Sequence, residues 1–229
     1  ELVKAMQQVF SYEGTRKFDV EFMERVYKQK FEVVACKYDE VPASVEASIP
    51  AGGHLEGNRI GFDAGGSDRK VSAVVNGEVI HSEEVVWFPK TNEDPEYHYQ
   101  GILDSFKRAA SKMPRVDAIG VSSAGVYVDN EVRAASLFIK VPQDKFDAQV
   151  RDIYIRAAKE IGDVPLEVAN DGDVTALAGA LELKDGCVLG IAMGTSEAAG
   201  YINKDGNLNG WLSELAFAPV DFNKGAMED

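Results

Sequence analysis

Apolar residues follow two rhythms along this chain, and the change of rhythm divides it. Residues 2–10 and 19–29 carry apolar side chains at helical spacing, with Phe22, Val26 and Tyr27 in the second run and Asp19 as its cap. The run FEVVAC, residues 31–36, predicts a strand. From Asp39 to Gly57 the pattern dissolves into a loop containing Pro42, Pro50, Gly52 and Gly53, which places a boundary near Gly57. Beyond it, RIGFD, RKVSAVV and EVIHSEEVVWF predict three antiparallel strands. The last two are joined by Asn76-Gly77, a strong hairpin signal. Helical spacing returns from Tyr97 to Met113, with Ile102, Leu103, Phe106 and Ala110 on one face and Pro114 as the stop. VDAIGVS predicts a strand, VRAASLFIKV short extended pieces, and Phe146 to Ile161 a further amphipathic helix. VPLEVAN predicts a strand, and DVTALAGAL starts a helix immediately after it. Three antiparallel strands followed by alternating strands and helices predict an α/β fold around a mixed sheet.

The opening pattern then returns. GCVLGIAM predicts a strand, GTSEAAG a small-residue loop, AAGYIN a returning strand and KDGN a turn, a weak internal echo of residues 59–80. The earlier loop, in GFDAGGSDRK, also lies between two strands, whereas the familiar phosphate and dinucleotide loops open helices. Two glycine turns facing across a cleft would hold the phosphates of one nucleotide from both sides. Glycine permits close backbone approach, and exposed amides donate to phosphate oxygens.

Composition narrows the class. With 229 residues, 45% hydrophobic and 27% charged, the chain has material for one large or two modest cores. A net charge of -14, from 38 acidic and 24 basic residues, argues against a broad nucleic-acid or anionic-membrane surface. A divalent cation arriving with an anionic substrate would offset the local repulsion. Cys36 and Cys187, the latter expected within a buried strand, make neither a disulfide framework nor a metal quartet. His54, His81 and His98 fit no zinc spacing. Trp87 and Trp211 are expected in the core or the wall of a cleft. No leader or membrane-length apolar run is visible, so the expected location is cytoplasmic, with no nucleic-acid or membrane partner and homo-oligomerisation left open. The chain opens inside a helical pattern and stops just after a strand-like stretch, which is expected of a piece of a longer protein.

Five short motifs, in order from about Arg59 to Phe217, resemble the ROK family of sugar kinases within the actin/hexokinase-like, ribonuclease H-like group. Asp63-Ala64-Gly65-Gly66-Ser67 with Lys70 is similar to the family's Asp-x-Gly-Gly-Thr phosphate turn. Ala118–Val121 followed by Ala124-Gly125 resembles the strand and loop lining the sugar side. Asn170-Asp171 resembles the Asn-Asp pair before a small-residue helix, and Gly194-Thr195 the second phosphate turn. Asp205-Gly206, Gly210 and Glu214 fall where the family has a hairpin turn, a glycine and a sugar-binding glutamate. The resemblance implies a duplicated fold: residues 1–57 an extension of unassigned role, 58–185 a first actin-like domain, and 186–229 the beginning of an incomplete second. There are departures. The second loop reads Ser196-Glu197-Ala198-Ala199-Gly200 and is poorer in glycine, Phe217 stands where many members have histidine, and the family's cysteine-rich zinc motif is absent.

The resemblance implies ATP and Mg²⁺ as cofactors and a sugar or amino sugar as substrate. Asp171 would be the general base, because a sugar hydroxyl attacking a γ-phosphoryl group needs orientation and loss of its proton; the alternative is that it only caps its helix. Asn170, Glu214 and Gly125 would line the sugar, although a lone glutamate is otherwise surface charge. Asp63 would hold hydrated magnesium or merely accept amides of its own turn. Gly65, Gly66, Ser67, Lys70, Gly194 and Thr195 would meet the phosphates, with Lys70 alternatively a solvated hairpin lysine. Two functions stay open: an ATP-dependent sugar kinase, or a kinase-like protein that binds sugar or nucleotide with little transfer.

Overall fold

The computed structural model describes residues 1–45, 48–193, 197–209, 214, 215 and 225. The chain forms two compact units, Glu1–Ala47 and Ser48–Asp229. In the first, helices α1 (Leu2–Val9) and α2 (Lys17–Tyr27) match the expected periodicity, and Val20 and Val26 are buried. Asp19 lies within the first turn of α2, ion-paired to Arg16 at 2.6 Å, and is not its cap. Residues 31–36 form no strand. A strand needs a neighbouring strand to pair its N–H and C=O groups, and the described residues of this unit contain no other strand. Phe31 instead packs on Phe10 at 5.9 Å and donates its N–H to Glu24.

The division between the units precedes the expected boundary near Gly57. Strand β1 (Ser48–Pro50) belongs to the second unit because it pairs antiparallel with β11 (Asn207–Asn209). The principal sheet of that unit has five strands: β2 (Asn58–Ala64), β3 (Asp68–Val75), β4 (Glu78–Val86), β5 (Ala118–Ser123) and β8 (Leu166–Asn170), in the order β4-β3-β2-β5-β8. β2 to β4 form the expected antiparallel meander, while β5 runs parallel to both β2 and β8. Asn76 and Gly77 have φ of 50° and 84°, the positive pair that a tight two-residue hairpin requires.

One face of β2 buries Ile60, Phe62 and Ala64 against α3 (Pro95–Ala110), where Phe62 and Phe106 meet edge to face at 5.4 Å. Asp94 caps α3 by accepting the Glu96 N–H. The helix stops at Ala110, short of Met113, because Lys112 and Met113 reach back only three residues for their carbonyl partners. The helix expected over residues 146–161 is broken into α4 (Gln143–Lys145), a π turn (Phe146–Val150) and α5 (Ile153–Ile161). Its apolar face is continuous, with Phe146, Val150, Ile153 and Tyr154 buried. The interruption has a tertiary partner: the Arg151 carbonyl accepts the N–H of Val132, on β7 (Glu131–Ala134), at 2.8 Å. β7 pairs with β6 (Val126–Val128) as a small hairpin.

A second sheet, ordered β1-β11-β10-β9, contains β9 (Val188–Met193) and β10 (Glu197–Ile202), paired antiparallel with Met193 opposite Glu197. Helix α6 (Asp171–Leu183) lies against it, burying Ala176 and Ala180 with Ile202 and Leu208. Cys187, expected in a buried strand, is exposed and precedes β9. Among the described residues no helix is long and apolar enough to cross a membrane.

Candidate functional site

Ala64, Ser123 and Asn170 are cross-strand partners, so β2, β5 and β8 end level. The Gly65–Ser67 turn, the Ala124-Gly125 loop and the head of α6 therefore emerge side by side. The carboxyl ends of parallel strands are where open α/β sheets gather ligands.

Gly125, Asn170 and Glu214, the residues expected on the sugar side, meet in one hydrogen-bonded knot. Asn170 Nδ2 donates to Gly125 O at 2.8 Å and to Glu214 Oε1 at 2.7 Å, and the Gly125 N–H donates to the same Oε1 at 2.9 Å. Asn170 Oδ1 accepts the Gly172 N–H at 2.8 Å and is the N-cap of α6. The capping role weighed for Asp171 therefore belongs to its neighbour; Asp171 is the first helical residue and accepts the same N–H at 3.1 Å. Gly125 has φ of 138°, and a β-carbon there would stand 2.5 Å from Ala134 O, so only glycine fits.

The head of α6 is held by close backbone contact. A β-carbon on Gly172 would lie 2.7 Å from the backbone of Ala198 and Ala199. One on Gly190 would lie 2.2 Å from Ala176 N, and one on Gly200 2.4 Å from Asp173 Cα. The small residues that look featureless in the sequence thus set the position of Asp171.

Asp171 and Asp63 are both half-buried. Burial pushes the Asp171 carboxyl above the usual carboxylate range; the negative charges of Glu214 and, less strongly, Asp63 add to this, and the Gly172 N–H opposes it. Burial likewise raises Asp63, opposed by the charge of Lys70 and a hydrogen bond with Ser122. Beneath them, Ser123 Oγ donates to Ala64 O and Tyr127 Oη to Ala124 O. Tyr154, fully buried nearby, is pushed up to about 12 by burial. No group of three His, Cys, Asp or Glu side chains among the described residues could hold a metal ion.

The Gly65-Gly66-Ser67 turn joins antiparallel strands, with Asp63 opposite Lys70 in register. Trp87 holds it from behind: its indole Nε1–H donates to Gly65 O at 2.8 Å and its backbone N–H to Ser67 O at 3.1 Å. Lys70 is exposed and occupied, 3.1 Å from Asp68 and 4.0 Å from Glu84. Ser67 Oγ donates to Asp68 at 3.0 Å. Gly194 and Thr195 lie outside the described residues, as do Ser196, Gly210, Trp211 and Phe217. Trp87, expected in the core or the wall of a cleft, is buried; Ser122, Ser123, Tyr127 and Tyr154 carry no motif that marks them, and the available signal is that a buried tyrosine needs a polar partner.

Neither a protein-family model nor a curated protein matches the sequence significantly. Among solved structures, the chain is similar to an inorganic polyphosphate/ATP-glucomannokinase from Arthrobacter sp. strain KM, with a TM-score of 0.56 and 22% identity, over 72% of this chain and 65% of that one. It is similar also to a ROK hexokinase from Thermus thermophilus, with a TM-score of 0.52 and 18% identity, over 69% and 51% of the two chains. It thus spans less than two thirds of those proteins. The shared feature is the fold, the actin/hexokinase-like α/β fold seen in ROK sugar kinases.

Proposed function

We propose that this chain carries the sugar side and the first phosphate turn of an ATP-dependent kinase acting on a hydroxyl of a sugar or amino sugar. The observation supporting this most directly is the Gly125–Asn170–Glu214 knot beside Asp171. It offers convergent amide and carboxylate groups next to a half-buried carboxylate whose acidity is weakened, the combination suited to orienting a hydroxyl and accepting its proton.

In this reading Asp171 accepts a hydrogen bond from the substrate hydroxyl. As the hydroxyl oxygen bonds to the γ-phosphorus, its proton passes to the Asp171 carboxylate and the bridging oxygen leaves with ADP. Glu214, held by Asn170 and the Gly125 N–H, accepts from a neighbouring sugar hydroxyl, with Asn170 and Gly125 lining the sugar, and the amides of Gly65, Gly66 and Ser67 face the phosphate chain. Asp63 fits magnesium arriving with nucleotide, since that ion commonly takes one or two carboxylates, phosphate oxygens and several waters and needs no all-protein cage. When bound, it would neutralise charge on the phosphate oxygens. The β9–β10 hairpin would begin a second half related to the first, with Gly194 and Thr195 as its phosphate turn.

The test is a panel of hexoses and N-acetylhexosamines incubated with the protein and Mg-ATP, reading both sugar phosphate and ADP. The expected result is stoichiometric formation of the two with at least one sugar. Sugar binding by calorimetry with no product across the panel would favour a binding protein over a kinase.

A further inference from the structure

The lysine expected to serve the phosphate turn, Lys70, is exposed and held by Asp68 and Glu84. A different cation stands at the turn. A β-carbon built on Gly66 would lie 2.8 Å from Lys90 Cε and 3.1 Å from Lys90 Nζ, so the ammonium lies directly against Gly66. Among the described residues Lys90 has no ion pair or hydrogen bond for that ammonium, although the chain carries a net charge of -14. Its backbone is anchored: Lys90 lies in the single turn Pro89–Thr91, and the buried His98 ring contacts Pro89 O at 3.0 Å and Leu137 O at 3.2 Å. Trp87, three residues earlier, bonds both Gly65 and Ser67. The segment after β4 thus grips the turn through Trp87 and sets the ammonium of half-buried Lys90, unpaired among the described residues, against Gly66.

We propose that Lys90, not Lys70, is the cation that receives a phosphoryl group at the Gly65-Gly66-Ser67 turn. The assignment rests on the reading of that turn as a phosphate site. The chemistry it recognises is a phosphate oxygen, which a nucleoside triphosphate and a free phosphate chain both present. An ammonium beside backbone amides forms a charge-assisted contact there. Lys70 would have to give up its carboxylate partners to do the same.

The experiment is calorimetric titration of the 229-residue chain with Mg-ATP and, separately, with inorganic tripolyphosphate and magnesium, at several salt concentrations. The proteins are the parent, Lys90→Gln, Lys90→Arg and Lys70→Gln. Lys90→Gln is expected to weaken both ligands by about tenfold and to flatten the salt dependence, with Lys90→Arg near the parent and Lys70→Gln within about twofold of it. Parental affinity in Lys90→Gln would overturn the assignment while leaving the turn as a phosphate site. Weakening of ATP alone would also overturn it, since Lys90 would then serve the nucleoside. A parent that binds neither ligand would remove the phosphate-turn reading, and this assignment with it.

Discussion

Asp171 is neither the cap of its helix nor a solvated surface acid. Asn170 takes the cap, which leaves Asp171 half-buried beside Glu214 with its carboxyl raised. Asp171→Asn is therefore expected to lower kcat by roughly a hundredfold to ten-thousandfold, the range for a lost general base, measured at saturating sugar and Mg-ATP. Its effect on stability has the opposite sign. A carboxyl whose folded pKa exceeds its unfolded value favours folding below the unfolded pKa, and that contribution is lost as pH rises through the folded pKa. At neutral pH the charged Asp171 thus costs stability that a neutral amide does not. Thermal melts should show Asp171→Asn at least as stable as the parent at neutral pH, with any advantage gone below about pH 4. A variant melting well below the parent at neutral pH would assign Asp171 a supporting role instead.

Helix α6 is the element that joins the two sheets, and its contact with β9 and β10 is backbone on backbone. Gly190→Val places branched carbon where a β-carbon already lies 2.2 Å from Ala176 N, an atom that cannot swing aside. Destabilisation of about 3 kcal/mol is expected in urea unfolding, at the upper end for overpacking. Gly120→Ala, whose β-carbon meets nothing nearer than Ile60 O at 4.0 Å, is the neutral comparison. Equal midpoints for the two variants would mean that α6 tolerates displacement from the sheet. The same packing ties stability to the site, because moving α6 moves Asn170 and Asp171 with it.

The site draws on four distant stretches of chain, at Asp63, Gly125, Asn170-Asp171 and Glu214, brought together only when both sheets are in place. The two apolar clusters of the second unit are built wholly from residues after Ala47. A chain beginning at Ser48 is accordingly expected to fold, with a thermal midpoint within a few degrees of the parent and phosphate affinity within about twofold. Loss of the cooperative melt on removing residues 1–47 would show that the second unit depends on the first.

Much of this was legible one residue at a time. The β2–β3 turn, the Asn76-Gly77 hairpin and the helix beginning at Asp171 follow from alternation, from helical spacing and from residues able to adopt positive φ or cap a helix. Those are properties of short stretches, so a short stretch displays them. The strand expected at residues 31–36 fails because extended backbone requires a partner that local pattern does not supply. The helix expected across Arg151 is interrupted where its carbonyl is used by β7. The lysine proposed for the Gly65–Ser67 turn illustrates the same limit: Lys70 and Lys90 are chemically identical, and motif spacing favours the first. Only folding places Asp68 and Glu84 on one ammonium and Gly66 against the other. Local pattern sets which backbone conformations and buried faces are available; which charged group is paired, and what the other is set against, depends on neighbours brought together from elsewhere in the chain.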